Sequence, residues 1–149
     1  GTDDFRGQDA VVADPERILD VLRFLKEDPD LRYTMLVDVT SVDYQGWPEP
    51  TPGRYAVVYH LWSLDRSRRI RVKAYLPEES PRIDSAAGLF SLADWGEREV
   101  YDLFGITFLN HPDLRRILMP EDYDEGHPLR KDFPLRGRYS RAEQTRRGQ

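Results

Sequence analysis

Cysteine is absent from all 149 residues, and this absence excludes several kinds of chemistry together. A chain without thiols forms no disulfide, offers no thiolate ligand to zinc or to an iron–sulfur cluster, and has no cysteine nucleophile. The sequence also lacks a run of about 18 apolar residues, which is the length that a membrane-spanning helix needs. We therefore expect a domain that is held together by an apolar core and that crosses no bilayer.

Glycine-rich phosphate-binding motifs are missing as well. Neither a Gly-x-Gly-x-x-Gly pattern nor a Walker-type loop occurs, so the sequence predicts no NAD, flavin or nucleotide site of the standard kinds. None of the seven serines lies between glycines as in the nucleophile elbow of hydrolases. These absences make an enzyme built on a standard cofactor or nucleophile motif a poor interpretation of the chain.

Charge is distributed unevenly along the chain. Residues 1–129 contain 15 basic and 25 acidic side chains, whereas residues 130–149 contain 7 basic and 2 acidic ones. The acidic body argues against nucleic acid as a partner, because contacts to phosphate dominate that affinity. The basic end is either an arm for an acidic surface or a solvated terminus, and charge alone does not separate these two interpretations.

Local patterns predict one α+β domain. Asp14 and Pro15 are typical of a helix start and Pro29 of its end, with apolar residues on one face between them. Strands are predicted at 33–44, 54–64 and 69–76, the second of them central because both of its faces are largely apolar. A second helix is expected from Asp84 or Ser85 to Gly105, followed by a short strand at 106–108. The expected fold has two layers, with helices packed on a mixed, mostly antiparallel sheet.

We divide the chain into three parts. Residues 1–13 have no clear period and are expected to be frayed, and residues 14–109 form the α+β domain. Residues 110–149 are expected to be an extended, irregular docking tail. Its prolines, at positions 112, 120, 128 and 134, push the residue before each of them toward extended geometry.

Three histidines are the first candidates for chemistry. His60 lies in a predicted strand and is expected to be a packed or hydrogen-bonded core residue. His111 and His127 lie in irregular chain near several acidic residues, so a metal-dependent hydrolase is one conceivable function. Their spacing matches no known ligand pattern, and the simpler hypothesis is that each ring donates a hydrogen bond that pins a turn. The acidic residues in question are Asp113, Glu121, Asp122, Asp124 and Glu125.

Two charged segments remain. Glu97, Arg98, Glu99 and Asp102 form the charged side of the second predicted helix, which indicates either a solvated face with intrahelical ion pairs or an acid–base site. The segment 127–135, HPLRKDFPL, alternates apolar and charged residues between two prolines. A pre-extended segment loses little entropy when it docks, so we favour an interface over a self-packed tail.

These segments resemble a known family. The stretches 97–108 (EREVYDLFGITF), 111–118 (HPDLRRIL) and 126–135 (GHPLRKDFPL), with 38–44 and 54–59 upstream, are similar to the C subunit of the proton-translocating NADH:quinone oxidoreductase, respiratory complex I. The resemblance covers residues 33–135. It implies a non-catalytic member of the hydrophilic arm that contacts the quinone-site D subunit and adjacent iron–sulfur subunits, on the cytoplasmic side of the bacterial inner membrane.

The resemblance also implies where the chemistry lies. NADH, FMN, iron–sulfur clusters and quinone belong to the assembled complex, whereas this chain carries no catalytic, cofactor-binding or metal residue and meets the membrane only through the complex. An equivalent subunit of a related membrane-bound hydrogenase is the alternative within the resemblance. The residues expected at the subunit interface are Glu97, Arg98, Glu99, Tyr101, Asp102, His111, Pro112, Asp113, Leu114, Arg115, Arg116, His127, Pro128, Leu129, Arg130, Lys131, Asp132, Phe133 and Pro134.

Overall fold

The computed structural model describes residues 2–5 and 8–137. In this part of the chain, no helix combines the length and the apolar character that spanning a bilayer requires. The elements, in chain order, are strands β1 (Thr2–Phe5) and β2 (Gln8–Ala13), a 3₁₀ turn (Pro15–Arg17), helix α1 (Ile18–Glu27), strands β3 (Met35–Asp43), β4 (Tyr55–Ser63), β5 (Arg68–Leu76) and β6 (Arg82–Asp84), helix α2 (Ser91–Phe104) and strand β7 (Thr107–Leu109).

The strands form a mixed sheet in the order β1-β2-β5-β4-β3. Its pairs are antiparallel except β2–β5, which is parallel, and β6 and β7 form a separate two-stranded parallel sheet. Strand β4 lies between β3 and β5, as its apolar character on both faces predicts. The α+β prediction with a mostly antiparallel sheet is thus confirmed.

Both helices cover the same face of the sheet. Helix α1 buries Ile18, Leu22 and Leu25, and α2 buries Ala93 and Val100, in one core with the inward residues of β3, β4 and β5. Asp14 caps the 3₁₀ turn that leads into α1, since its side chain accepts the backbone N–H of Glu16 at 3.0 Å, and α1 ends before Pro29 as predicted. Helix α2 ends at Gly105, whose φ of 72° is the left-handed conformation that glycine adopts without strain.

Helix α2 begins later than the sequence predicts. Asp84 belongs to strand β6 and pairs with Leu109 of β7, and the backbone N–H of Ser85 donates to the Leu109 carbonyl at 2.9 Å. The expectation that Asp84 or Ser85 caps the helix is therefore wrong. The competing strand partner lies more than twenty residues further along the chain, so local sequence offers no signal for it.

The expectation that residues 1–13 are frayed is wrong for residues 2–5, which form β1, and for residues 8–13, which form β2. Val11 and Val12 pair with Val72 and Lys73 of β5. In a strand of six residues the alternation of apolar and polar side chains is too short to recognise. The strand is stabilised by parallel pairing with the edge of β5.

The irregular segment after β7 is packed against the domain. Leu114 and Met119 lie against the apolar core, and no helix or strand follows β7 within the described residues. Up to residue 137 this segment is irregular, as predicted, but it lies on the chain's own helix α2 over much of its length. The rest of the predicted docking tail, residues 138–149, lies outside the described residues.

We predict that Gly96→Val destabilises the domain, because a side chain at Gly96 meets β3. An added Cβ would lie 3.0 Å from the Cβ of Val39, whereas one at Gly88 has no atom within 4 Å. Overpacking at such a contact costs about 1–3 kcal/mol of unfolding free energy. Urea unfolding should show this loss for Gly96→Val and little change for Gly88→Ala. Equal stability of the two variants would contradict the packing of α2 on β3.

Candidate functional site

The buried carboxylate of Asp102, in the last turn of α2, organises the loop that follows β7. Its Oδ2 accepts the backbone N–H groups of Ile117, Leu118 and Met119 at 3.1, 2.7 and 2.8 Å. Its Oδ1 accepts from the Arg116 guanidinium at 2.7 Å. Burial by itself raises the pKa of Asp102, but these donors outweigh burial and hold the pKa below the ordinary value. Asp102 therefore stays ionised and acts as the anchor of residues 116–119.

The carboxyl end of α2 is capped by a segment that we call the belt, residues 126–133. The last carbonyls of a helix lack partners within the helix. Here the His127 ring donates to the Asp102 carbonyl at 2.9 Å, and the Leu129 N–H donates to the Leu103 carbonyl at 3.0 Å. Arg130 donates from Nε to the Phe104 carbonyl at 2.6 Å. The belt thus places a cation at the negative end of the helix, where it is stabilising.

The other end of the belt is fixed to the sheet by Asp43. The Lys131 N–H donates to Asp43 Oδ2 at 2.9 Å, and Arg54 binds both oxygens of the same carboxylate at 3.1 and 3.0 Å. Arg54 also pairs with Asp132 at 3.1 Å. Burial raises the pKa of Asp43. Arg54 and the backbone N–H groups of Lys131 and Gln45 lower it more, so the pKa lies below the ordinary value. The belt therefore bridges the end of α2 and the end of β3.

The solvated-face interpretation is wrong for three of the four charged residues of α2 that the sequence predicts on that face. Glu97, Arg98 and Asp102 are buried, and only Glu99 is exposed. Arg98 donates to the carbonyls of Arg115 and Arg116, at 3.3 Å each. The charged side of α2 thus faces the chain's own loop.

Glu97 differs from Asp102 in its surroundings. It is fully buried and accepts from the Ser85 hydroxyl at 2.5 Å and from the Ala86 N–H at 2.7 Å. Burial raises its pKa to about 7, against the lowering effect of these two hydrogen bonds. A carboxyl with a pKa near neutrality is a candidate acid–base group, although it is enclosed by the fold.

The histidines are placed separately. His111 Nε2 lies 3.1 Å from the Asp94 carbonyl and His127 Nδ1 lies 2.9 Å from the Asp102 carbonyl. Since a carbonyl only accepts, each ring donates there, and the turn-pinning hypothesis is confirmed. Within residues 2–5 and 8–137, no group of three or more His, Asp or Glu side chains could hold a metal ion. His60 is half-buried on the sheet face opposite the helices, so its expected place in the core is wrong.

The nineteen residues predicted for an interface divide by exposure. Three are buried: Glu97, Arg98 and Asp102. Eight are half-buried: Tyr101, His111, Leu114, Arg116, His127, Pro128, Arg130 and Phe133. The exposed residues, which are available to a partner, are Glu99, Pro112, Asp113, Arg115, Leu129, Lys131, Asp132 and Pro134.

Asp43, Arg54 and Ser85 belong to the same network, and the sequence reasoning missed them. A signal existed for Asp43, because the alternation of β3 places it on the face of Val39 and Ser41, which is covered by the helices. For Arg54 and Ser85 no local pattern indicates a partner so distant in sequence.

The fold and this network define a small α+β domain whose charged residues brace its own loop and belt. Its sequence matches the family described as the 30 Kd subunit of the respiratory-chain NADH dehydrogenase over residues 11–139. The chain belongs to this family, whose members include the C subunits of NADH-quinone oxidoreductases.

Curated relatives support the assignment. The NADH-quinone oxidoreductase C subunit of Citrifermentans bemidjiense is 54% identical over 134 residues, which is 90% of this chain and 79% of the relative. Its counterpart in Geobacter sulfurreducens is 50% identical over the same shares of both chains.

Two solved structures share the fold. The trypsin-resistant fragment (1–134) of Nqo5 is 39% identical with a TM-score of 0.70, covering 76% of this chain and 89% of the fragment. A chain of the membrane-bound sulfane sulfur reductase, an archaeal respiratory membrane complex, is 24% identical with a TM-score of 0.74. The match covers 99% of this chain and 81% of the reductase chain, and at this identity the likeness concerns the fold alone.

We predict that Asp102→Asn destabilises the isolated chain by about 3–5 kcal/mol at pH 7, the usual loss when one partner of a buried charge pair is removed. Because the pKa of Asp102 is depressed, its contribution is present above the ordinary value of 3.8 and is lost as pH falls through the lower folded value. The deficit measured by urea unfolding should therefore shrink at strongly acidic pH.

Asp113→Asn is the matched control, since its ion pair with Arg115 is exposed and little stability depends on it. If Asp113→Asn destabilised the chain as much as Asp102→Asn, the anchoring role of Asp102 would be refuted.

Proposed function

We propose that this chain is a non-catalytic, structural and assembly subunit of the hydrophilic arm of an NADH:quinone oxidoreductase. The family and the relatives named as C subunits of that enzyme support this role. The assembled complex takes electrons from NADH through FMN and iron–sulfur clusters to quinone and couples this transfer to proton translocation. In this proposal those cofactors lie on other subunits, and this chain holds the neighbouring subunits in place.

The outward side of the belt and of the loop that Asp102 anchors is the observation that carries the proposal. Leu129 is 52% exposed and Leu118 is 55% exposed, although their backbone N–H groups are fixed by the Leu103 carbonyl and by Asp102. Exposed apolar side chains on a fixed backbone favour binding, because docking then orders little additional chain. The charged neighbours Lys131 and Asp132 give this surface polarity and therefore a preferred orientation for a partner.

The inward side supports a structural role in a different way. Asp102, Arg98, His127 and Arg130 have donors or acceptors in the chain's own backbone, so their polar groups are engaged in folding. Side chains that act on a substrate have to direct polar atoms into an accessible site. We infer that the charged residues of this segment shape the docking surface and take no part in electron transfer.

The partners that we propose are the quinone-site D subunit and the adjacent iron–sulfur subunits. The complex would then hold this chain on the cytoplasmic side of the bacterial inner membrane, with no direct contact to lipid. An equivalent subunit of a related membrane-bound hydrogenase is the second candidate. The sulfane sulfur reductase chain shares the fold, which makes this candidate worth testing, but relatives about 50% identical favour the first. The other subunits that co-purify with the native chain distinguish the two.

Arg130 is unsuitable as a test of docking. It caps α2 and lies over the ring of Tyr55 at 5.3 Å, so a substitution there damages the fold as well as the surface. Leu129 and Lys131 are better targets, because their side chains are exposed and their backbone N–H groups anchor them to the fold. The Lys131 ammonium also lies 5.6 Å from the centre of the Trp47 ring, but both side chains are exposed there and such a contact contributes only about 0.5–1 kcal/mol.

We predict that the double variant Leu129→Asp, Lys131→Glu folds normally but is incorporated into the complex about tenfold less, which corresponds to roughly 1.4 kcal/mol of docking free energy. The measurement is quantitative mass spectrometry of this chain in the purified complex, together with urea unfolding of the isolated chain. The control is Leu64→Asp, Arg66→Glu, which makes the same change of charge on exposed residues at the opposite end of β4. Equal incorporation of both variants would refute the belt as a docking surface.

A further inference from the structure

Glu97 is a buried carboxyl, and no Lys or Arg among residues 2–5 and 8–137 forms an ion pair with it. Its hydrogen-bond donors, the Ser85 hydroxyl and the Ala86 N–H, are both neutral. The titratable groups around it, within the described residues, are Asp94 on α2, His111 after β7 and Tyr59 on β4, which in turn lies near Asp84 on β6. Tyr59 stays protonated, because burial raises its pKa well above the ordinary value. Asp94 and Asp84 add negative charge, so none of these three groups stabilises an ionised Glu97.

The proton positions on the His111 ring follow from its hydrogen bonds. Nδ1 accepts the backbone N–H of Asp113 at 3.0 Å, so it carries no proton. Nε2 lies 3.1 Å from the Asp94 carbonyl, so it carries one. The side chain is fully buried, although the residue as a whole is half-buried, and Nε2 lies 3.4 Å from Asp94 Oδ1 and 3.9 Å from Glu97 Oε2, the latter beyond a hydrogen bond. Protonation of Nδ1 would break the bond that holds Asp113.

We propose that Glu97 is a proton-binding site, and that the release of its proton is transmitted through the His111 ring to the backbone of Asp113. Ser85 makes the site suitable for both states. Its hydroxyl donates to the carboxylate, and the same oxygen can accept from the carboxylic acid, so the short contact survives either way. Only the ionised form leaves an uncompensated charge in the interior.

The negative charge of ionised Glu97 attracts the Nε2–H of His111, which lies 3.9 Å from Glu97 Oε2. His111 Nε2–H now donates to the Asp94 carbonyl at 3.1 Å and also lies 3.4 Å from Asp94 Oδ1. An ionised Glu97 is a further charged acceptor at 3.9 Å, and we expect its attraction to rotate the ring toward Oε2. Because the same ring holds Asp113 through Nδ1, the rotation strains or breaks the Asp113 bond. Burial raises the pKa of Glu97 to about 7, so both states are populated near neutrality.

The experiment is a pH titration of the isolated full chain by NMR, which follows the Glu97 side-chain carboxyl carbon, the His111 ring nitrogens and the Asp113 amide. We expect all three signals to change with one common midpoint near pH 7. Glu97→Gln should remove the transition at His111 and Asp113, whereas Glu99→Gln, exposed on the same helix, should leave it intact. A transition at Asp113 that persists in Glu97→Gln, or a Glu97 carboxyl that titrates below pH 5, would overturn the proposal.

Ser85→Ala gives an independent readout if the Gln variant folds poorly. Removing a donor to the ionised form should move the midpoint of Glu97 upward, and an unchanged or lower midpoint would count against the site.

The pH dependence of the unfolding free energy is a further check on the direction of the shift. Because the folded pKa is raised above the ordinary 4.5, the wild type should lose unfolding free energy relative to Glu97→Gln as pH rises from 4.5 through about 7.

Discussion

The carboxylate of Asp102 is the interaction on which the described C-terminal part of the structure depends. One buried side chain receives three successive backbone N–H groups and a guanidinium, and its own carbonyl receives the ring of His127. A buried charge is tolerated only when donors replace the water that it has lost. Here the loop provides those donors. The end of the helix is therefore stable only while the loop keeps this conformation, and the loop keeps it only while Asp102 is in place.

This coupling explains how an irregular segment rich in proline holds a defined shape. The carbonyls at the end of α2 need donors, and the belt supplies them from His127, Leu129 and Arg130 while Asp43 holds Lys131. The exposed residues between these anchors are then presented on a fixed backbone. A protein that joins others in a large complex benefits from such a surface, because the entropy of ordering has already been lost when the chain folds.

The sequence was sufficient where structure depends on local patterns and insufficient where it depends on distant partners. The ends of α1, the alternation of β5 and the terminating Gly105 follow from capping, period two and glycine's freedom at positive φ. Strand β2 and the late start of α2 depend on β5 and β7, which lie far away in the chain. The charged side of α2 looked solvated because its partners, Ser85, Ala86 and residues 115–119, have no pattern that links them to it. The family resemblance identified the segment, but only the contacts divide its residues into inward anchors and outward docking candidates.

In this account the chain holds its own belt before any partner binds. Hydrogen exchange of the Leu129 and Lys131 amides in the isolated chain tests this most directly, because these two N–H groups donate to the Leu103 carbonyl and to Asp43. If the belt is preformed, both amides exchange slowly and lose protection together with the last turn of α2. Exchange of both at the rate of an unstructured peptide, with α2 still protected, would show that the belt forms only in the complex.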